Sequence, residues 1–506
     1  MRLVKEQIQL EQPLGHGSSQ AVVEGEITLP GGLREEARVL YAGASACVER
    51  VEALTDRLSA AGRVAFRTLY TQGDPSRVCA MEATADFTHL MDLPGVQPRC
   101  VGQLAAQVEH VEARAYGGRL LLRAVVRISG YALCRQPVEA VTGIAEAEGV
   151  QLRTHQAALL RTVAQGAADT LLREEMPLPS ELQIRETLWG TAYAVVDAVT
   201  GGLGRAGVAG RLMLEVAHAS EQPGRPVVIT RHTLPLSLTV DLAGEEAEAL
   251  QGVICVKDVA VASQEAGEGQ RVLRAEILLG TQVWGQRQES LTLMDDAYTL
   301  SGDDLRLSGQ TLPALQADEV TTAAESGRVS LMLPEGAPPV RSVLCAFLTP
   351  VAAEWHSSAS RLTGEGMLEV TLLYMSDDPA LPQSVRVETP FRAAFAIGAT
   401  PEDELRLEAV EAEALPMTAD RVDVRYVLSL AARSLRTQPL QLVSDVLPVS
   451  AEPPRRSIAL YFTQPGEGLW DIARRYRVSV DSIRSINPEL TGEPQPGQGV
   501  VVWRKE

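Results

Sequence analysis

The sequence predicts a mainly β chain: three tandem antiparallel β domains followed by a small β-α-α-β module. Three observations carry this expectation. A diverged repeat runs three times through residues 1–436, and short apolar, β-branched runs alternate with turn residues inside each copy. In residues 458–506 the pattern changes to helical spacing between two apolar runs.

The repeat is visible in three anchors. Each copy opens with a Leu-Pro step, Leu29-Pro30, Leu178-Pro179 and Leu333-Pro334, and a Gly follows 32 or 33 residues after that Leu, at Gly62, Gly210 and Gly366. An apolar segment comes next (63–70, 211–218 and 367–374), and a Pro falls 13 residues after each Gly, at Pro75, Pro223 and Pro379. Keeping this register over periods of about 150 residues divides the chain into repeats 1–150, 151–295 and 296–436. Comparing copies also settles local structure. Cys47–Ala61 alone would pass for an amphipathic helix. Its counterpart carries Gly201, Gly202, Gly204 and Gly207, which break helices, so a strand and turn is expected in all copies. Further strands are expected at Val78–Leu90, Leu120–Ile128, Leu212–Ala217, Val227–Leu238, Val272–Leu279, Val385–Ile397 and Val422–Leu430. Leu152–Leu172 has helix-favouring Ala and Leu, but its counterpart holds Pro13, Gly15 and Gly17, so loop plus strand is expected. Residues 437–457, with Pro453-Pro454, read as a stiff linker.

Composition limits the function classes. The chain has 506 residues, 45% of them apolar and 22% charged, which suits folded domains rather than disorder. With 46 basic against 65 acidic residues the net charge is −19, which argues against nucleic acid or an anionic membrane as partner. Residues 457–506 hold six of each sign, so the acidity belongs wholly to the repeats. No signal-peptide core or run of 18 apolar residues occurs, so a cytosolic chain without membrane insertion is expected. Cys47, Cys79, Cys100, Cys134, Cys255 and Cys345 form no Cys-x-x-Cys pair and read as reduced, buried thiols.

Catalytic readings are weak, and no cofactor, metal or catalytic residue is expected. Gly202-Leu-Gly-Arg-Ala-Gly207 has dinucleotide-loop spacing, but the residues after it read as a strand and not as the phosphate-capping helix. No Walker A sequence occurs, and the seven His lie at no metal-binding spacing.

The tail is the most specific segment. Strand Ala459–Thr463 meets a Pro465-Gly466 turn; Leu469, Ile472, Ala473 and Tyr476 then share a helix face. Ser479 suits the N-cap of a second helix carrying Ile483 and Ile486, Asn487-Pro488 stops it, and Pro496-Gly497 leads into strand Val500–Trp503. Arg474, Arg475 and Arg477 read as a solvated face, with an acidic partner surface as the alternative.

This tail resembles the LysM domain at Pro465-Gly466, Leu469-Trp470, Ile472-Ala473, Tyr476, Val478, Asn487-Pro488 and Pro496-Gly497-Gln498. It departs from the family at Gly468, where a hydroxyl N-cap is usual. The resemblance implies a groove for N-acetylglucosamine polymers or a protein partner, formed by Pro465, Gly466, Glu467, Gly468 and Leu469 with Asn487, Pro488, Glu489 and Leu490. Plain turn chemistry accounts for Pro465, Gly466, Asn487 and Pro488 equally well, and Trp470 and Tyr476 read as core rather than ligand platform. The run Gln20–Pro30, the Gly62–Tyr70 segment and the tandem array resemble SPOCS domains, although His218 replaces the tyrosine of Tyr70 and Tyr374. Three SPOCS-like units followed by one LysM look like the SipL-like proteins of spore-coat morphogenesis. The resemblance implies a noncatalytic scaffold in the mother-cell cytoplasm, at the forespore surface, binding the coat morphogenetic ATPase SpoIVA through the LysM domain. A peptidoglycan-binding LysM protein is the alternative.

Overall fold

Alternation of buried and exposed side chains extends strands far beyond the short runs seen in sequence. The computed structural model describes residues 1–29, 37–265, 270–300, 303–377, 380–451 and 458–504. Pro30, Pro379 and residues 452–457 of the expected linker lie outside them.

Each unit uses the same strand order. In the first, β1 (Arg2–Thr28), β6 (Arg119–Ala145) and β5 (Val101–Tyr116) form one antiparallel sheet, in that order. The second sheet is the meander β2 (Ala37–Leu54), β3 (Arg57–Gln72) and β4 (Asp74–Asp92). The second unit repeats this with β7 (Val150–Leu178), β8 (Ile184–Gly202), β9 (Arg205–Ser220), β10 (Val227–Asp241), a two-residue β11 (Ala243–Gly244), β12 (Ala249–Glu265) and β13 (Arg271–Thr299). Its sheets run β11-β7-β13-β12 and β10-β9-β8. The third has β14 (Asp304–Met332), β15 (Val340–Ser358), β16 (Arg361–Ser376), β17 (Pro382–Phe395), β18 (Glu404–Pro416) and β19 (Arg421–Val449), arranged β14-β19-β18 and β15-β16-β17. The tail is β20 (Ile458–Phe462), α1 (Leu469–Tyr476), α2 (Val480–Ile486) and β21 (Gly499–Trp503), with β20 paired to β21. The chain is thus mainly β, as expected.

The first and last strands of each unit pair along almost their whole length, from Arg2↔Ala145 to Thr28↔Arg119 in unit one. Such a ribbon serves two cores. Its inner half packs within its own unit, where Val23, Leu122 and Val126 meet Phe66 of the meander. Its outer half joins the other ribbons: Ile8, Leu10, Val138, Leu159, Leu293, Leu440 and Leu442 form one cluster from all three units. A bulge marks the change of role. One residue of the first strand is left unpaired in each ribbon, Gly15, Val163 and Gln316, and bulges bend and twist a strand. A second bulge, on the last strand, skips Thr142, Asp295 and Ser444.

The repeat glycines share one physical cause. At Gly62, Gly210 and Gly366 a Cβ would overlap a neighbouring carbonyl oxygen, that of Cys47, Val195 and Val351 in turn. In each case the adjoining strand bulges there and presses its backbone inward. The first long strand of each unit ends at or one residue before the Leu of its Leu-Pro step, with Leu29 and Leu178 buried.

Three expectations are corrected. Leu152–Leu172 contains no loop; all of it lies in β7 and pairs with β13. Residues 437–449 continue β19 and pair with β14 rather than beginning a linker. Cys100 and Cys134 are joined in a disulfide, leaving Cys47, Cys79, Cys255 and Cys345 free. Gly202–Gly207 is the hairpin joining β8 to β9, with Gly204 in the left-handed region at φ +81°. Among the described residues no helix is long and apolar enough to cross a membrane.

Candidate functional site: the tail and its seat

Sequence spacing builds the tail's core locally. Leu469, Ile472 and Ala473 of α1, Ile483 of α2 and Val500 and Val502 of β21 are almost fully buried together. Ser479 caps α2, its hydroxyl accepting the Ser482 N–H at 3.1 Å. Gly468 has no side chain to cap α1. Glu493 takes over, its Oε2 accepting the Leu469 N–H at 2.6 Å, and a Cβ at position 468 would crowd that carboxylate. A negative group at a helix N-terminus also meets the favourable end of the helix dipole.

The expected groove residues divide into structural and exposed sets. Asn487 is buried and its amide is fully engaged: Nδ2 donates to the carbonyls of Ile483 (2.8 Å) and Val501 (2.7 Å), and Oδ1 accepts the Val501 N–H (2.7 Å). It ties α2 to β21. Leu469 and Leu490 belong to the tail core. Glu467 accepts from the Tyr461 hydroxyl, the Gln464 N–H and Arg475; these contacts, led by the Tyr461 hydrogen bond, hold its carboxyl below its ordinary range. Pro465, Gly466, Pro488 and Glu489 are exposed on two turns, with Gly466 at φ +86°, and Gly468 is half-buried. Glu493 links the loop before β21 to the start of α1.

The structure also supplies a seat for the tail. Tyr298, from the end of β13, is wholly buried in the tail's core. Its hydroxyl donates to the Val478 carbonyl at 2.7 Å and its ring meets Trp470 edge-on, centroids 4.9 Å apart. Burial, with Asp296 nearby, pushes the Tyr298 phenol up to about 12. Asp296 follows the bulge at Asp295 and accepts from Trp470 Nε1 (2.8 Å) and from Arg474 Nη1 at both oxygens (2.6 Å). Arg477 pairs with Asp304 at 3.6 Å, and Arg504 donates to the Leu300 carbonyl at 2.9 Å. All three clustered arginines therefore meet acidic groups of their own chain, Arg474 and Arg477 on the repeat units and Arg475 within the tail on Glu467. Trp470 is half-buried and packs against the tail core, in keeping with its reading as core rather than ligand platform. Sequence reading missed Asp296 and Tyr298 because nothing local marks a contact across 174 residues.

A second missed feature is the outer face of β20. Ile458, Leu460 and Phe462 are 72%, 60% and 60% exposed, beside Trp503 at 41% on β21. Ile458–Phe462 is apolar or aromatic at all five positions, so a strand there has to turn apolar side chains to both faces, which was the available signal.

Where the three units meet lies a cavity of about 1490 Å³, bordered by β2 and β5, by β8 and β12, and by β15 and β18. Its wall mixes both charges: Arg67, Lys257 and Arg406 stand among Glu215, Glu404 and Glu408. Burial pushes the Glu404 carboxyl up to about 7, against the opposing pull of Arg433 and Arg406. Among the described residues no group of three or more side chains could hold a metal ion.

In comparison with known families, residues 37–115 match the family described as SipL, SPOCS domain, and residues 461–503 match the LysM domain. The first match spans β2 to β5, and the same strand order recurs from β8 to β12 and from β15 to β18. No curated protein and no solved structure matches the chain.

Proposed function

We propose that this chain is a noncatalytic scaffold of spore-coat assembly, in which three SPOCS-like units present a LysM module to a protein partner. The partner is the coat morphogenetic ATPase, of SpoIVA type, met on the mother-cell side of the forespore surface. Pairing a SPOCS domain with a LysM domain supports the sporulation role, and both are binding domains rather than enzymes. The single observation carrying the protein-partner reading is the apolar face of Ile458, Leu460 and Phe462. Exposed contiguous apolar side chains mark protein contacts, whereas a sugar polymer needs convergent polar groups. Two of the three polar side chains of the expected groove are engaged internally, Asn487 with backbone and Glu467 with Tyr461 and Arg475, while Glu489 is exposed.

The test replaces Leu460 and Phe462 by Glu in the full chain, since both point away from the core. Capture of the ATPase should fall at least about tenfold, which needs only 1.4 kcal/mol of lost binding energy. Normal capture by this variant would remove the face from consideration. The glycan alternative rests on the LysM match itself. Calorimetric heat from chitooligosaccharides at millimolar concentration would favour it, and no heat would count against it.

A further inference from the structure

Cys47 and Cys255 come from different units, 208 residues apart in sequence, yet their sulfurs lie 2.8 Å from each other. Cys47 is on β2 and Cys255 on β12, and both border the central cavity. Cys47 is buried and Cys255 half-buried. The surroundings distinguish the two thiols. The hydrogen bond from Cys47, joined by the charges of Arg406 and Lys257, lowers the Cys255 thiol; the same hydrogen bond and burial raise Cys47. The thiolate is the reactive form, and positive neighbours favour it.

We propose that Cys47 and Cys255 are a peroxide-oxidisable pair that locks the first unit to the second. The Cys255 thiolate attacks one peroxide oxygen, breaking the O–O bond, so that Cys255 becomes a sulfenic acid and hydroxide leaves. The Cys47 sulfur then attacks the Cys255 sulfur, forming the S–S bond as the S–O bond breaks. The Cys47 proton leaves with the departing hydroxyl as water. In total two thiols are oxidised, one peroxide is reduced, and two waters form. Cys47 is the resolving thiol because it already sits against the sulfur that must be attacked. Neither Cys79 nor Cys345 has a sulfur partner among the described hydrogen bonds.

The test treats the purified full chain with hydrogen peroxide, unfolds it in N-ethylmaleimide, and maps its peptides without reduction. Before oxidation four cysteines should carry the label, and afterwards only Cys79 and Cys345. A linked peptide containing Cys47 and Cys255, two hydrogens lighter than its parts, should appear. Closing so long a loop constrains the unfolded chain, so the oxidised protein should also melt at a higher temperature. In C47S the linked peptide should vanish, and a dimedone-type probe should trap Cys255 as its sulfenic acid. Labelling of all four thiols after peroxide would overturn the proposal. So would oxidation of Cys255 to sulfinic acid without a link, or a link from Cys47 to any other cysteine. The peptide map of the unsubstituted chain decides the matter even if C47S does not fold.

Discussion

Replacing Asp296 by Ala takes away the acceptor of one indole and one guanidinium hydrogen-bond donor of the tail. The carboxylate is 11% exposed and the Arg474 side chain 41%, so the ion pair is half screened by solvent and is worth about 1 kcal/mol. The Trp470 N–H is left without its partner beside the apolar Tyr298 ring, at a cost of about 1–2 kcal/mol. Docking of the tail should weaken by about 2–3 kcal/mol, which multiplies the undocked population by roughly 30–150. Tyr298, Asp304 and Leu300 still hold the tail, so most molecules stay docked. Native-state hydrogen exchange reads this, because Tyr298 fills the tail's core and bonds the Val478 carbonyl, so undocking loosens the hydrogen bonds of the tail's own amides, that of the Val478 N–H to Ala473 among them. Their exchange should speed up by that factor in D296A while the β3 and β9 amides keep theirs. Cycles with R474A should show a coupling of about 1 kcal/mol. Unchanged exchange near Val478, or full additivity with R474A, would refute the Asp296 seat.

Three further outcomes follow from particular contacts. Arg433 forms a two-point pair with buried Asp318 (2.8 Å each) and lies 3.7 Å from the Trp284 ring centroid and 5.1 Å from that of Tyr131, so it joins all three units. R433A strands a buried carboxylate and should lower stability by about 3–5 kcal/mol in urea titration; a loss under 1 kcal/mol would contradict this role. Glu404 has a folded-state carboxyl raised to about 7 from an ordinary 4.5, so the unfolded chain releases this proton first as pH rises. Its contribution is present at pH 4.5 and is lost by pH 7–8. E404Q should therefore be more stable than the parent in thermal melts at pH 8, by about 2–3 kcal/mol, with the gap closing near pH 5. A gap independent of pH would show that Glu404 titrates normally. G366A forces a Cβ onto the Val351 carbonyl and should cost about 1–3 kcal/mol in thermal melts, whereas G336A, at an open turn, should avoid that overlap and pay only for its left-handed φ of +83°.

Features enforced within a few residues were legible in the sequence. Gly62, Gly210 and Gly366 mark the bulges because no other residue fits under the pressing carbonyl. The tail's turns, its Ser479 cap and its helix face follow from spacing alone. The long ribbons were not legible, since Pro13, Pro137, Pro313 and Pro439 argue against a central strand. Pro137, Pro313 and Pro439 lie where the ribbons are two-stranded, since β5 pairs with β6 only up to Leu133 and β18 with β19 only up to Arg433; Pro13, opposite Leu133, lies on β1 at the edge of its sheet. A Pro on such an edge gives up no ladder bond that a neighbour needs. Leu440 and Leu442, both 2% exposed, carried the strand alternation through the segment read as linker, but Pro453-Pro454 and the mixed polar residues outweighed it.

The same ribbons explain why one tail has one seat among three similar units. The bulge on the last strand skips Thr142, Asp295 and Ser444, and the next residue is Gly143, Asp296 and Asp445 in turn. Two positions further on come Ala145, Tyr298 and Leu447. Only the second unit joins a carboxylate that can accept from Trp470 and Arg474 to an aromatic ring that can fill the tail's core. The first unit has neither, and the third has the carboxylate with a 53% exposed Leu447 where the ring is needed. Position on the array is thus set by two side chains beside a shared bulge, a contact that repeat symmetry conceals and drift in one copy creates. Seating α1 on that bulge turns the engaged side chains inward while leaving Leu460 and Phe462 outward, which is the orientation the proposed scaffold role requires.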